Sequence, residues 1–95
     1  MMVLLVAPQA REDLRQAYEY ITQDNPSAAD RVLIRIIEVC GLLASGALNG
    51  REVLLHDGRK VLTWPVPPYR IYYRKTATEL QVLRVYHQAR RPIER

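Results

Sequence analysis

The stretch PYRIYYRKTATELQVLRVYHQAR, residues 68–90, decides how this chain folds. Two runs rich in β-branched and aromatic residues flank a short polar segment, Thr76-Ala77-Thr78, the pattern of an antiparallel β-hairpin. With the turn on those three residues, Lys75 stands opposite Glu79, Tyr73 opposite Gln81, Ile71 opposite Leu83 and Tyr69 opposite Val85. Side chains alternate sides along a strand, so this set forms one largely apolar face. Arg70, Tyr72, Arg74, Arg84 and Tyr86 fall on the other. The register also sets Arg70 across from Arg84, and like charges directly opposed weaken a strand pair. An Arg/Tyr face that keeps such a pair is a candidate site for a negative partner. A solvated sheet face carries the same residue types, so the pattern marks candidates only.

Working outward, residues 3–6 (VLLV) form a short apolar run expected to be a buried first strand. Pro8 then suits the first helical position, where a missing N–H costs nothing. Glu12 and Asp13 follow near the first turn, where the helix dipole favours negative charge. Ala10, Leu14, Ala17, Tyr18 and Ile21 recur at helical spacing and define one apolar face. Asn25-Pro26 ends this helix and starts another, with Asn25 as N-cap and Pro26 as first helical residue. Ala29, Val32, Leu33, Ile36, Ile37, Cys40 and Leu43 make the apolar stripe of the second helix, which stops near Ser45-Gly46 on a left-handed glycine. So short a link predicts an antiparallel helical hairpin.

From Asn49-Gly50 onward the period changes to two. Residues 52–55 and 59–66 read as strands joined at Asp57-Gly58, a strong hairpin signal, with Leu62, Trp64 and Val66 on one face. Pro67-Pro68 interrupts strand pairing and turns the chain into the 68–90 hairpin. The basic, proline-containing tail after His87 is expected to fray. The order β-α-α-β-β-β-β predicts an α+β fold, one domain over residues 1–95. One face of a mainly antiparallel sheet packs on the helices, and the Arg/Tyr face is left open.

Composition narrows the function classes. The chain is 48% hydrophobic and 25% charged, too apolar for a disordered segment. Residues 1–48 hold four Arg and six Asp or Glu, a balance of −2, whereas residues 49–95 hold ten Lys or Arg and four acids, a balance of +6. A basic half on a small domain points to an acidic partner, nucleic acid or protein. No stretch approaches the roughly 20 apolar residues of a membrane span, and residues 1–6 lack the basic start and length of a signal peptide. The single Cys40, inside an apolar run, suits a reducing cytoplasm and a core position rather than catalysis. His56 and His87 lie far apart and Cys40 stands alone, so neither a metal nor another cofactor is expected. His87 reads as a packing or hydrogen-bonding residue, and Glu79 as the partner of Lys75.

These pieces together resemble the ParE branch of the RelE/ParE superfamily of type II toxin–antitoxin toxins, over nearly the whole chain. The likeness rests on AREDL (residues 10–14), YITQDNPSAA (20–29), RVLIRII (31–37), GRE (50–52), PYRIYYR (68–74) and LRVYHQAR (83–90), in that order. It implies a small α/β toxin neutralised by a cognate antitoxin. Such an antitoxin is typically a ribbon-helix-helix protein whose C-terminal segment wraps the toxin, and operator DNA is contacted through it. The resemblance covers two mechanisms. ParE-like members poison DNA gyrase, arresting growth. RelE-like members cut mRNA on the ribosome with a sheet-face cluster of basic residues and a late tyrosine. On that pattern Arg84 and Tyr86 are catalytic, with Arg59, Lys60 and Arg70 as phosphate ligands and a tyrosine of depressed pKa as base. Lys60 and Lys75 are the only lysines, and the 20–29 junction is of the gyrase-type branch, so the expectation is a non-enzymatic gyrase inhibitor that stabilises plasmids. Arg70, Tyr72, Arg74, Arg84 and Tyr86 are then partner-binding. A relative that has lost toxicity but still binds an antitoxin, through the helical hairpin and an exposed sheet edge, is the remaining alternative.

Overall fold

The computed structural model describes residues 2–90 and 92–94. Strand β1 (Val3–Val6) leads into helices α1 (Pro8–Asp24) and α2 (Pro26–Ser45), followed by strands β2 (Arg51–Leu54), β3 (Lys60–Val66), β4 (Tyr69–Lys75) and β5 (Glu79–His87). The helix ends follow local chemistry. Pro8 opens α1. Asn25 terminates α1 through its N–H to the Ile21 carbonyl (2.8 Å), and its side chain accepts the Ala28 N–H (3.1 Å) to cap α2. Gly46 closes α2 at φ 83°, the left-handed conformation a glycine tolerates best. The Tyr18 hydroxyl donates to Asp30 (2.9 Å), fastening the two helices together.

The sheet has five strands in the order β1-β5-β4-β3-β2. Strands β2 to β5 form a consecutive antiparallel meander, and β1 adds in parallel to β5. The helices cover one face. Ala10, Ala17, Ile36, Val39, Cys40 and Leu43 meet Val66, Tyr69, Ile71, Tyr73, Leu80, Val82 and Val85 in the main core. A smaller apolar cluster of Val53, Leu55, Val61 and Tyr72 gathers with Leu83, Tyr86 and Ile93. Gly50, just before β2, passes so close to β3 and β4 that a Cβ there would lie 2.5 Å from the Thr63 carbonyl oxygen and 2.6 Å from the Tyr73 hydroxyl. Its N–H donates to that hydroxyl (2.8 Å).

Several expectations are corrected. The 68–90 hairpin is not in uniform register. Lys75 pairs with Leu80 and Tyr73 with Val82, then an irregularity shifts the pairing so that Tyr72 faces Arg84, Ile71 faces Val85 and Arg70 faces Tyr86. A β-bulge of this kind inserts an unpaired residue, here Leu83. The opposition of Arg70 and Arg84 therefore does not exist. Lys75 donates to the Leu43 carbonyl (2.9 Å) at the end of α2, not to Glu79, whose carboxylate accepts from Gln81 (3.0 Å). Strand β1 is not buried, because it lies at the sheet edge, with Val3, Leu4 and Leu5 exposed. Ile37 faces outward and Val39 takes a core position in its place, since the α2 stripe is narrower than the run of apolar residues suggests. Asp13 is not a first-turn dipole residue but a buried one. The tail also packs back: Glu94 bridges Leu55, and the His56 N–H donates to the Ile93 carbonyl (2.8 Å).

Candidate functional site

The five residues of the Arg/Tyr face have distinct environments. Arg84 is engaged by α1: its Nε donates to Asp13 Oδ2 (2.8 Å) and its Nη2 to Asp13 Oδ1 (3.1 Å). The Val85 N–H donates to the same carboxylate (3.0 Å). This fork-to-fork pairing fixes the guanidinium, and the Asp13 carboxylate holds it above its ordinary pKa. Its Cζ lies 5.3 Å from the Tyr86 ring centroid, within cation–π reach. Asp13 sits three residues after Ala10 and four before Ala17, on the buried face of α1. A carboxylate on an apolar stripe is the sequence signal that it needed a buried partner.

Arg70 has a different role. Its Nη1 donates to Thr63 Oγ1 (3.3 Å), and the Thr63 hydroxyl donates to the Ile71 carbonyl (2.9 Å). No ion pair reaches Arg70 among the described residues. Tyr72 is buried, and its hydroxyl donates to Glu94 Oε2 (2.6 Å). Burial first, and then the Glu94 carboxylate, push this phenol well above its usual pKa. Arg70, Tyr72 and Tyr86 line a hollow of about 310 Å³, joined there by Arg51, Arg90 and Glu94. Arg74 is exposed, pairs with Gln81 and stands outside this hollow. Arg84 and Tyr86 border a neighbouring hollow of about 280 Å³ with Arg59 and Ile93. Lys60 lies elsewhere, exposed beside Glu52 (3.8 Å).

Arg51 was missed by the hairpin-based reading because it comes from outside the strands that reading paired, whereas Arg90 and Glu94 lie in the tail segment 90–95, an alternative contact surface in the sequence but more simply a solvated end. Glu94, a lone acid in a basic tail, was the one visible sign. A third hollow, of about 270 Å³, opens between α1 and the ends of β4 and β5, with Tyr20, Tyr69, His87 and Arg90 in its walls. There His87 packs edge-on against Tyr69 (centroids 5.1 Å apart), and its Nδ1 accepts the Ala89 N–H (3.0 Å). It is a packing and hydrogen-bonding histidine, as its position at a strand end suggested. Among the described residues no group of three or more His, Cys, Asp or Glu is placed to hold a metal ion, and no helix is long and apolar enough to cross a membrane.

A helical hairpin on one face of a mixed sheet, with a basic and tyrosine-lined opposite face, defines a small two-layer α+β fold. The chain belongs to the family of ParE toxins of type II toxin–antitoxin systems, parDE, whose model matches residues 4–92. Among solved structures it is similar to a chain of the chromosomal ParDE TA system from P. aeruginosa, at 24% identity and a TM-score of 0.74, over 92% of this chain and 96% of that one. At that identity the likeness is one of fold. A search of curated proteins finds no match.

Proposed function

We propose that this chain is the toxin of a ParDE-type pair, that it acts in the cytoplasm by inhibiting DNA gyrase without catalysis of its own, and that a ribbon-helix-helix antitoxin neutralises it. The observation that carries the gyrase branch over RNA cleavage is the state of the sheet face. A nuclease on the RelE pattern would need Arg84 free to meet a phosphate, yet Arg84 is committed to Asp13. The matched family adds support, because its members are ParE toxins rather than RelE-type enzymes.

Antitoxin capture is assigned to the β1 edge and the outer face of the hairpin. An edge strand offers unpaired N–H and C=O groups along its outer side. Here the edge carries three exposed aliphatic side chains, Val3 (52%), Leu4 (43%) and Leu5 (42%), and α2 adds Ile34 and Ile37. Strand addition to such an edge buries both the backbone groups and the apolar surface. Operator DNA is contacted only through the antitoxin. The test is purified protein in gyrase supercoiling and cleavage assays beside an mRNA-cleavage assay on translating ribosomes. Trapped, cleaved DNA with intact mRNA is expected; cut mRNA with normal supercoiling would reverse the assignment.

A further inference from the structure

The tail segment Pro92–Glu94 lies across the face that the hairpin arginines and tyrosines form. Ile93 enters the apolar cluster of Val53, Leu55, Val61 and Tyr72, next to Leu83 and Tyr86. One residue on, the Glu94 carboxylate enters the basic hollow, where it accepts from the Tyr72 hydroxyl (2.6 Å) and from Arg51 Nη2 (3.5 Å). The backbone there is extended, bridging Leu55 and accepting the His56 N–H at Ile93. The occupant is thus an apolar residue followed by an acidic one, held as a short added strand. Among the described residues, its hold consists of one bridge, one apolar side chain and one carboxylate. The charges around it are not balanced. Among the described residues, Arg51, Arg70 and Arg90 line the hollow, Glu94 is the only carboxylate in its walls, and neither Arg70 nor Arg90 makes an ion pair.

We infer that this hollow and the adjoining apolar cluster are a docking site for an extended, apolar-then-acidic segment of a partner protein, and that Ile93-Glu94 is a built-in competitor occupying it. Charge complementarity identifies the partner chemistry. Three guanidinium groups around one carboxylate leave room for further negative charge, and arginine's planar fork suits carboxylates. The neighbouring apolar hole wants an aliphatic side chain, which a protein segment supplies and a phosphate backbone does not. A partner segment gains the site by displacing the tail, so its apparent affinity is reduced by the fraction of chains whose site is closed. Removing the Glu94 charge while keeping Ile93 opens the site more often and raises that affinity.

The inference rests on reading the Arg/Tyr face as a partner surface, and it can fail on its own. The experiment uses the full chain and a fluorescent hexapeptide of alternating isoleucine and glutamate. A matched peptide with glutamine for glutamate and a single-stranded ten-nucleotide oligothymidylate serve as comparisons. Glu94→Gln is expected to bind the acidic peptide at least about tenfold more tightly than the wild-type chain, and adding Arg51→Ala or Arg70→Ala to remove at least about tenfold. In the wild-type chain, excess acidic peptide is expected to shift the amide NMR signals of His56, Ile93 and Glu94, a readout that does not depend on any variant folding. Unchanged peptide affinity in Glu94→Gln, equal binding of the glutamine peptide, or binding that leaves those three amides unmoved would overturn the inference. A gain for oligothymidylate alone would also overturn it, assigning the site to phosphate. Gyrase poisoning without the Glu94-linked gain would end this inference and leave the toxin reading standing; the gain without any toxicity would do the reverse.

Discussion

Asp13 joins helix α1 to strand β5. Its two oxygens accept from Arg84 and from the Val85 N–H, and its side chain is 6% exposed against 24% for Arg84. Removing one partner of such a pair leaves the other charge buried and an N–H without an acceptor. Asp13→Ala is therefore expected to lower unfolding stability by about 3 kcal/mol in urea titration. Gly50→Ala is expected to destabilise as well, because its Cβ would meet the Thr63 carbonyl oxygen at 2.5 Å, and backbone cannot swing aside as a side chain can. The thiol of Cys40 is pushed up to about 11 by burial, and Tyr69, Tyr72 and Tyr73 are raised for the same leading reason. Acids that are harder to ionise folded than unfolded make the unfolded chain lose protons first as pH rises. For Cys40 the stability is complete below pH 9 and falls as pH rises from 9 to about 11, by roughly 2–3 kcal/mol. Melting curves against pH should show that fall, and Cys40→Ala should lessen it. Thiol reagents at pH 7 should modify Cys40 only once the chain unfolds.

At the scale of elements, the helices were the most legible part of the sequence and the hairpin register the least. Asn25-Pro26 and Ser45-Gly46 mark their boundaries through local chemistry, and the structure places the helix ends there. The register of β4 and β5 was misjudged in two steps: the turn takes one residue more than the three assigned to it, so Lys75 meets Leu80, and a bulge, which leaves no compositional mark, moves the pairings beyond Tyr73 by one more. The parallel addition of β1 to β5 joins residues more than seventy positions apart, which spacing alone does not reveal. Within α2, burial separates neighbours that the periodic pattern treats alike. Ile36 is 3% exposed and Ile37 57%. Ile36→Ala should cost about 2–5 kcal/mol, whereas Ile37→Ala should stay within about 0.5 kcal/mol in the same denaturation assay. Ile37 is expected to matter instead for antitoxin binding, so Ile37→Ala should melt like the parent chain yet pull down less antitoxin.

The whole molecule divides its charge as it divides its layers. The first half, with strand β1 and the helical hairpin, carries −2, and the second half, with the antiparallel strands, carries +6. The basic second half of the sequence suggested an acidic partner, and the candidate residues Arg70, Tyr72 and Tyr86 do gather at one hollow. The sequence did not show that Arg84 would be neutralised from α1, nor that the chain's own Glu94 would lie among the arginines, since both contacts join distant parts of the chain. On a basic surface, binding to an acidic partner weakens as salt screens it. Antitoxin affinity is expected to fall between low and physiological ionic strength if the Arg51–Arg70 hollow contributes, and an Arg51→Ala, Arg70→Ala double variant should flatten that dependence. The measurement that bears most directly on the account is DNA gyrase supercoiling and cleavage by the purified chain, run beside mRNA cleavage on translating ribosomes. The account predicts accumulated cleaved DNA and intact mRNA; mRNA cut in the ribosomal A site with supercoiling unchanged would contradict it.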